Sequence, residues 1–258
     1  RLAPHNPYDL ASLDLLQARN PPAWEAGGDW SYPLGSDDQG RDVLSSILYG
    51  LRLSLLVGGA AVLLAAILGL GLGLLAGYAG GWVDTLIMRI ADVQLSFPAI
   101  LVALLVDGVA RSLLPHDRQD QTAVYVVILA IASSIWVQFA RTVRGSTLVE
   151  RSKEYVQAAR IIGVHPVMIA WRHVLPNALG PVLVIATINL AIAILTEAAL
   201  SFLGLGMPVR QPSLGTLIRI GDNFIFSGEW RWMLLYPAIA LASLTLAVDE
   251  TTEAQRIE

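Results

Sequence analysis

The sequence predicts an all-α integral membrane protein, and two observations carry that prediction. Of 258 residues, 55% are hydrophobic and only 15% charged, against roughly 25% charged in an average soluble domain. A globule of this size leaves too much surface in water to hide that much apolar side chain. The charges are also clustered, leaving uncharged runs of 31, 20 and 23 residues at 53–83, 121–140 and 174–196. A bilayer core of about 30 Å needs about 20 helical residues. Composition excludes other classes. The 22 Gly and 13 Pro follow no G-X-Y period, no Cys is present for disulfides or thiolate metal sites, and a net charge of −4 does not suit a nucleic-acid binder.

Taken in order, residues 1–50 are polar, and Pro7, Pro21, Pro22 and Pro33 prevent a long helix. They form an expected extracytoplasmic segment. The chain begins at Arg1 rather than Met, so an upstream segment, including a further span, is expected. The acidic run at 37–42 (DDQGRD) lacks EF-hand spacing and reads as a capped turn held by Arg41. Residues 51–250 form the transmembrane domain. Its first span is 53–83, where Gly69, Gly71, Gly73 and Gly77 suit close helix approach in lipid. The second runs from Thr85 to Val106 and contains Pro98, which should kink it. Arg89 and Asp92, three residues apart, can pair at its edge. The third and fourth spans are 121–140 and 174–196, and a shorter fifth is 232–248, 17 residues. Residues 202–231 read as an extracytoplasmic loop with short helices, and 251–258 as a C-terminal tail.

The 141–176 loop holds six of the 17 basic residues: Arg141, Arg144, Arg151, Lys153, Arg160 and Arg172. Short basic loops stay in the cytoplasm. Alternating sides from it places 107–120 and 197–231 outside and the C-terminus inside. Within the loop, Ser152 is placed to cap a helix, and Glu154 favours the positive end of its dipole. Tyr155, Ala158, Ala159 and Ile162 mark one apolar face. Gly163 suits a helix stop, and Pro166 the first turn of a second short helix ending at Arg172 and His173. Pro176 closes the unit ahead of the next span. Such a helix–Gly–helix module can dock as a knob into another protein or lie on the lipid surface; periodicity alone leaves both open.

Catalytic chemistry is missing. The single lysine, Lys153, is followed by Glu154, so the chain has no P-loop. His5, His116, His165 and His173 have no zinc-site spacing, and there is no G-x-S-x-G elbow. We expect no enzyme, no metal and no cofactor in the chain itself. Glu197, at the end of the fourth span, is read as hydrated at the outer interface. A buried functional position is the alternative, since an ionisable group near the membrane is a functional suspect by default.

At this point three stretches resemble a known family. QAARIIG followed by HVLP, from Gln157 to Pro176, resembles the EAA loop of ABC importer permeases, with Gln157 where that loop usually has Glu. The segment 32–58 and the EAALSFLGLG stretch at 197–206 are similar to the dipeptide/oligopeptide/nickel class, second permease type. The resemblance implies a type I permease bundle with about five spans here and six in the family. It implies a bacterial inner-membrane location and an ATP-driven importer of peptides or related solutes. The expected partners are a homologous permease, two ATP-binding subunits holding the ATP and Mg, and an extracytoplasmic solute-binding protein. Glu154, Gln157, Ala158, Ala159, Gly163, Val164, His165, Pro166, Leu175 and Pro176 become candidate coupling residues. Ser96, Phe97, Pro98 and Glu197 become candidates for the pathway. The rival reading is an ATP-independent secondary transporter or channel, and a non-transporting scaffold is a third.

Overall fold

The computed structural model describes residues 3–7, 15–208, 211–226 and 231–257. The long helices are α1 (Val43–Ala79), α4 (His116–Glu150), α7 (Leu175–Phe202) and α9 (Tyr236–Ile257). Between them lie α2 (Gly81–Leu95), α3 (Ala99–Leu113), α5 (Glu154–Ile161), α6 (Pro166–Ile169) and α8 (Leu214–Asp222). Among the described residues, four stretches are long and apolar enough to cross a membrane: Val43–Ala79, Gln119–Glu150, Pro166–Phe202 and Arg231–Glu250. The α2–α3 pair makes a fifth candidate if taken as one span bent by 95°.

Helix α1 begins ten residues before the expected span because Asp42 caps it, its Oδ2 accepting from the Ser45 amide at 2.9 Å. It ends sooner than expected, at Ala79, because Gly80 and Gly81 both adopt positive φ, 67° and 58°, and start the chain afresh as α2. Pro98 does more than kink the second span. It breaks it between Leu95 and Ala99, since a proline ring crowds the preceding turn and offers no amide.

Two other prolines are accommodated differently. Residues 170–174 and 231–235 form π-helical turns. Pro176 and Pro237 each follow two residues later. In an α-helix the proline ring would clash with the carbonyl four residues back, here that of Arg172 or Met233, at the centre of each wide turn. The first turn joins α6 to α7 without interruption. Pro176 therefore does not close the loop as expected, and Arg172 and His173 lie within a continuous helix rather than at a helix end.

The chain divides into two compact units. One comprises 1–58, 107–127 and 193–247, the other 59–106, 128–192 and 248–258. In the first, Val43 and Ile47 of α1, Leu214 and Leu217 of α8, and Trp232 and Met233 form an apolar core. The 37–42 turn packs beside it. Asp37 Oδ1 accepts from the amides of Gln39 and Arg41, and Arg41 Nε donates to Asp37 Oδ2 at 2.6 Å, the capped turn that the sequence suggested.

In the second unit α1 packs against α4. A Cβ added at Gly69, Gly73 or Gly77 would fall within 2.8 Å of Phe139, Ala140 or Thr147. These glycines recur every four residues, so they share one helix face. Gly71 lies off that face and meets nothing within 4 Å. Helices α2 and α4 are joined by polar side chains. Asp84 pairs with Arg144, Asp92 pairs with Arg141 rather than with Arg89, and Gln94 accepts from the Trp136 indole at 2.8 Å.

Candidate functional site: the 141–176 module

After α4 ends at Glu150, three residues turn the chain into α5. The N-cap is Lys153 rather than Ser152, and no side chain caps it; the Ser152 hydroxyl donates back to Val149 instead. Glu154 stands in the first turn of α5, where its charge suits the dipole. The expected apolar face is divided by the fold. Val156 and Ala159 are buried, whereas Tyr155, Ala158 and Ile162 are exposed. One turn of contact suffices for a helix of eight residues, so the rest of its apolar side chains stand outside. Gln157 is exposed, and its amide folds back onto the Ser152 carbonyl at 2.9 Å.

Gly163 ends α5 with φ +82°. Its amide donates to Arg160, and that of Val164 to Ala159, which together form a Schellman motif. A Cβ there would meet nothing within 4 Å. The position needs glycine for backbone handedness, not for space. His165 then caps α6, its Nδ1 accepting from the Val167 amide at 3.4 Å, and Pro166 occupies the first turn. Leu175 and Pro176 open α7.

The module is braced on its own base. The Tyr155 phenol donates to the Glu150 carboxylate, which also receives Lys153 Nζ at 2.7 Å. The Asn177 amide donates to the Tyr155 oxygen at 3.2 Å and to the His173 carbonyl at 2.7 Å. Burial raises the Tyr155 pKa above its ordinary value, and donation to Glu150 raises it further. Arg151 donates to the Gly77 carbonyl at 2.8 Å, and Arg160 lies 5.5 Å over the Tyr78 ring. The outer surface then carries Ile161 (86% exposed), Ile162 (77%), Val167, Met168 and Trp171. Val167 and Trp171 also line a groove with Gly71, Leu75 and Tyr78 of α1.

The candidate pathway residues fall in different units. Ser96, Phe97 and Pro98 are exposed at the α2–α3 break. Glu197 is fully buried, not hydrated as expected. Its carboxylate accepts from Ser54 at 2.9 Å and Ser201 at 2.7 Å, with Ser213 also bonded to it. Three hydroxyls supply the hydrogen bonds that water would have given. Ser201 and Ser54 were not singled out from the sequence; Ser201 could have been, at i+4 from Glu197. Arg111 was missed too. It pairs with Asp107 at 2.7 Å and donates to the Leu205 and Gly206 carbonyls. The Asp107–Arg111 spacing was legible, but its target 94 residues away was not.

Comparison with known proteins gives this geometry a family. The dipeptide transport permease DppC of Haemophilus influenzae is 34% identical over 96% of this chain and 80% of its own length. The oligopeptide permease OppC of Bacillus subtilis is 35% identical over 90% of this chain and 70% of its own. The glutathione permease GsiD of Pectobacterium atrosepticum is 40% identical over 84% of this chain and 68% of its own. In fold the chain is similar to an inward-facing structure of the MetNI methionine ABC transporter, with TM-score 0.59 at 19% identity, covering 81% of this chain and 96% of that one. Residues 69–251 match the family described as binding-protein-dependent transport system inner membrane component. The match includes the whole braced module, and the chain belongs to that family as a multi-pass permease subunit of an ABC importer.

Proposed function

We propose that the chain is one of two homologous permeases in a bacterial inner-membrane importer of peptides or related small solutes. Two ATP-binding subunits sit under the cytoplasmic loops of the pair, one of them docking on the 141–176 module, and an extracytoplasmic binding protein delivers cargo. The names of the relatives support the cargo class. The single observation that carries the coupling role is the exposed apolar set Ile161, Ile162 and Met168, held out on a braced base. Large apolar side chains left exposed together on one short module suit an interaction site.

In this reading Glu154, Gln157 and Ala158 face the ATPase, while Ala159 packs the helix onto its base. Gly163, Val164, His165 and Pro166 set the angle between α5 and α6. Leu175 and Pro176 pass the motion to α7 through an unbroken helix. Nucleotide-driven closure of the ATPases displaces the module, and α7 moves with it. Coupling requires that the docked contacts differ between the two states of the pathway. Ser96, Phe97 and Pro98 line the pathway at the α2–α3 break. Glu197 acts on it only indirectly, by bracing α1, α7 and the start of α8.

Reconstitution tests the proposal. The purified complex with its binding protein, in proteoliposomes, should take up labelled di- and oligopeptides only with ATP and Mg²⁺. Uptake by this chain alone on an ion gradient would remove the ATP-driven reading. ATP-dependent complexes that move no peptide would remove the cargo class.

A further inference from the structure

The second unit contains an open groove of about 400 Å³ where the last turns of α1 meet the start of α6. Its walls are Gly71, Leu75 and Tyr78 on one side and Pro166, Val167 and Trp171 on the other. Gly71 is what leaves the space. Gly69, Gly73 and Gly77 spend their missing side chains on contact with α4, whereas a Cβ at Gly71 meets no atom within 4 Å. The groove opens beside exposed Leu75 on a membrane-spanning helix, and exposed Trp171 lies at its mouth. Tryptophan favours the depth where lipid tails meet headgroups.

The rim is cationic. Arg160 lies over Tyr78, Arg151 is held against Gly77, and Arg172 is exposed next to Trp171. Of the acids in this region, Asp84 is engaged by Arg144 and Glu150 by Lys153, while Glu154 stands exposed in the first turn of α5. An apolar slot ending among guanidinium groups, on the face that the positive loop assigns to the cytoplasm, complements one amphiphile: a chain of hydrocarbon ending in a negative phosphate.

We propose that this groove is a binding site for an anionic phospholipid, with an acyl chain between Gly71 and Trp171 and its headgroup among Arg151, Arg160 and Arg172. The site depends on the membrane orientation of the chain and not on which solute is transported.

The chain has no cysteine, so Leu75→Cys carries a single bimane fluorophore in the whole complex, assembled with cysteine-free partner subunits. The complex is placed in phosphatidylcholine nanodiscs containing brominated phosphatidylglycerol or brominated phosphatidylcholine. The glycerol lipid should quench half-maximally at a mole fraction roughly fivefold or more below that of the choline lipid. The double substitution Arg160→Gln and Arg172→Gln should remove that difference and leave quenching by phosphatidylcholine unchanged. Gly71→Leu, whose Cβ meets no atom within 4 Å, puts a side chain into the groove and should weaken quenching by both lipids. Equal quenching by the two lipids, a preference that survives loss of both arginines, or quenching indifferent to Gly71→Leu would each overturn the site. Absence of quenching by either lipid would show protein covering the groove and overturn it too.

Discussion

The α1–α4 seam and the 154–166 turn both depend on glycine, for different reasons. In the seam, Gly69, Gly73 and Gly77 have ordinary helical backbone, and another helix stands where a side chain would go. In the turn, Gly163 has open space around it and a backbone that L-residues adopt at a cost. The seam is constrained by volume and holds the bundle together. The turn is constrained by handedness and sets the direction of a surface. Damage to the first should remove the protein; damage to the second should leave a protein that does not work.

Gly73→Leu should show the largest effect. Its Cβ would lie 2.4 Å from the Ala140 carbonyl oxygen, and backbone cannot move aside as a side-chain tip can. A loss of about 3 kcal/mol or more is expected, since overpacking costs 1–3 kcal/mol even where neighbours can shift. It is read as loss of assembled complex on size-exclusion chromatography. A normal yield would break the volume argument.

Gly163→Val should cost about 1–2 kcal/mol in backbone strain and leave the complex assembled with uptake lost. Gly163→Asn, which tolerates positive φ, should retain most uptake. If valine and asparagine behave alike, handedness is not what the turn requires. Tyr155→Phe removes the donor to Glu150 and the acceptor for Asn177, worth about 1 kcal/mol. Peptide transported per ATP hydrolysed should fall while hydrolysis continues; an unchanged ratio would show that the brace is dispensable.

The smallest effect is expected away from both regions, at Asp38. Burial, then the neighbouring Asp37 charge, raises its pKa above 3.8, and its Oδ1 is buried without a hydrogen-bond partner. A carboxyl raised in the folded state favours folding least when ionised. Its contribution is therefore best below 3.8 and declines as pH climbs through the folded value. Asp38→Asn should raise thermal stability slightly at pH 7 and not at pH 3.5. A gain independent of pH would point to packing instead.

The spans were legible because lipid makes charge placement a strong signal, and 53–83, 121–140 and 174–196 each fall largely on a long helix. Gly163 and Pro166 were legible because each states a local backbone preference. Features set by distant partners were not. Glu197 looked like an interfacial group because nothing near it in the chain announces Ser54, 143 residues away. The burial of Val156 beside Ala159 on α5 was not legible, because periodicity shows which residues align, not which of them are covered. The wide turns before Pro176 and Pro237 were hidden because proline in a helix signals a conflict without saying how it is resolved.

The break between α2 and α3 has one more consequence. Each half has 15 residues, about 22 Å at 1.5 Å per residue, too short to reach from one headgroup layer to the other. Carbonyl groups freed near Ser96 and Phe97 need donors that acyl tails do not possess. Hydrocarbon therefore cannot wet this corner. Its surroundings in the working machine must be polypeptide or water, and solvent-accessibility mapping of Ser96 and Phe97 with and without nucleotide would tell which.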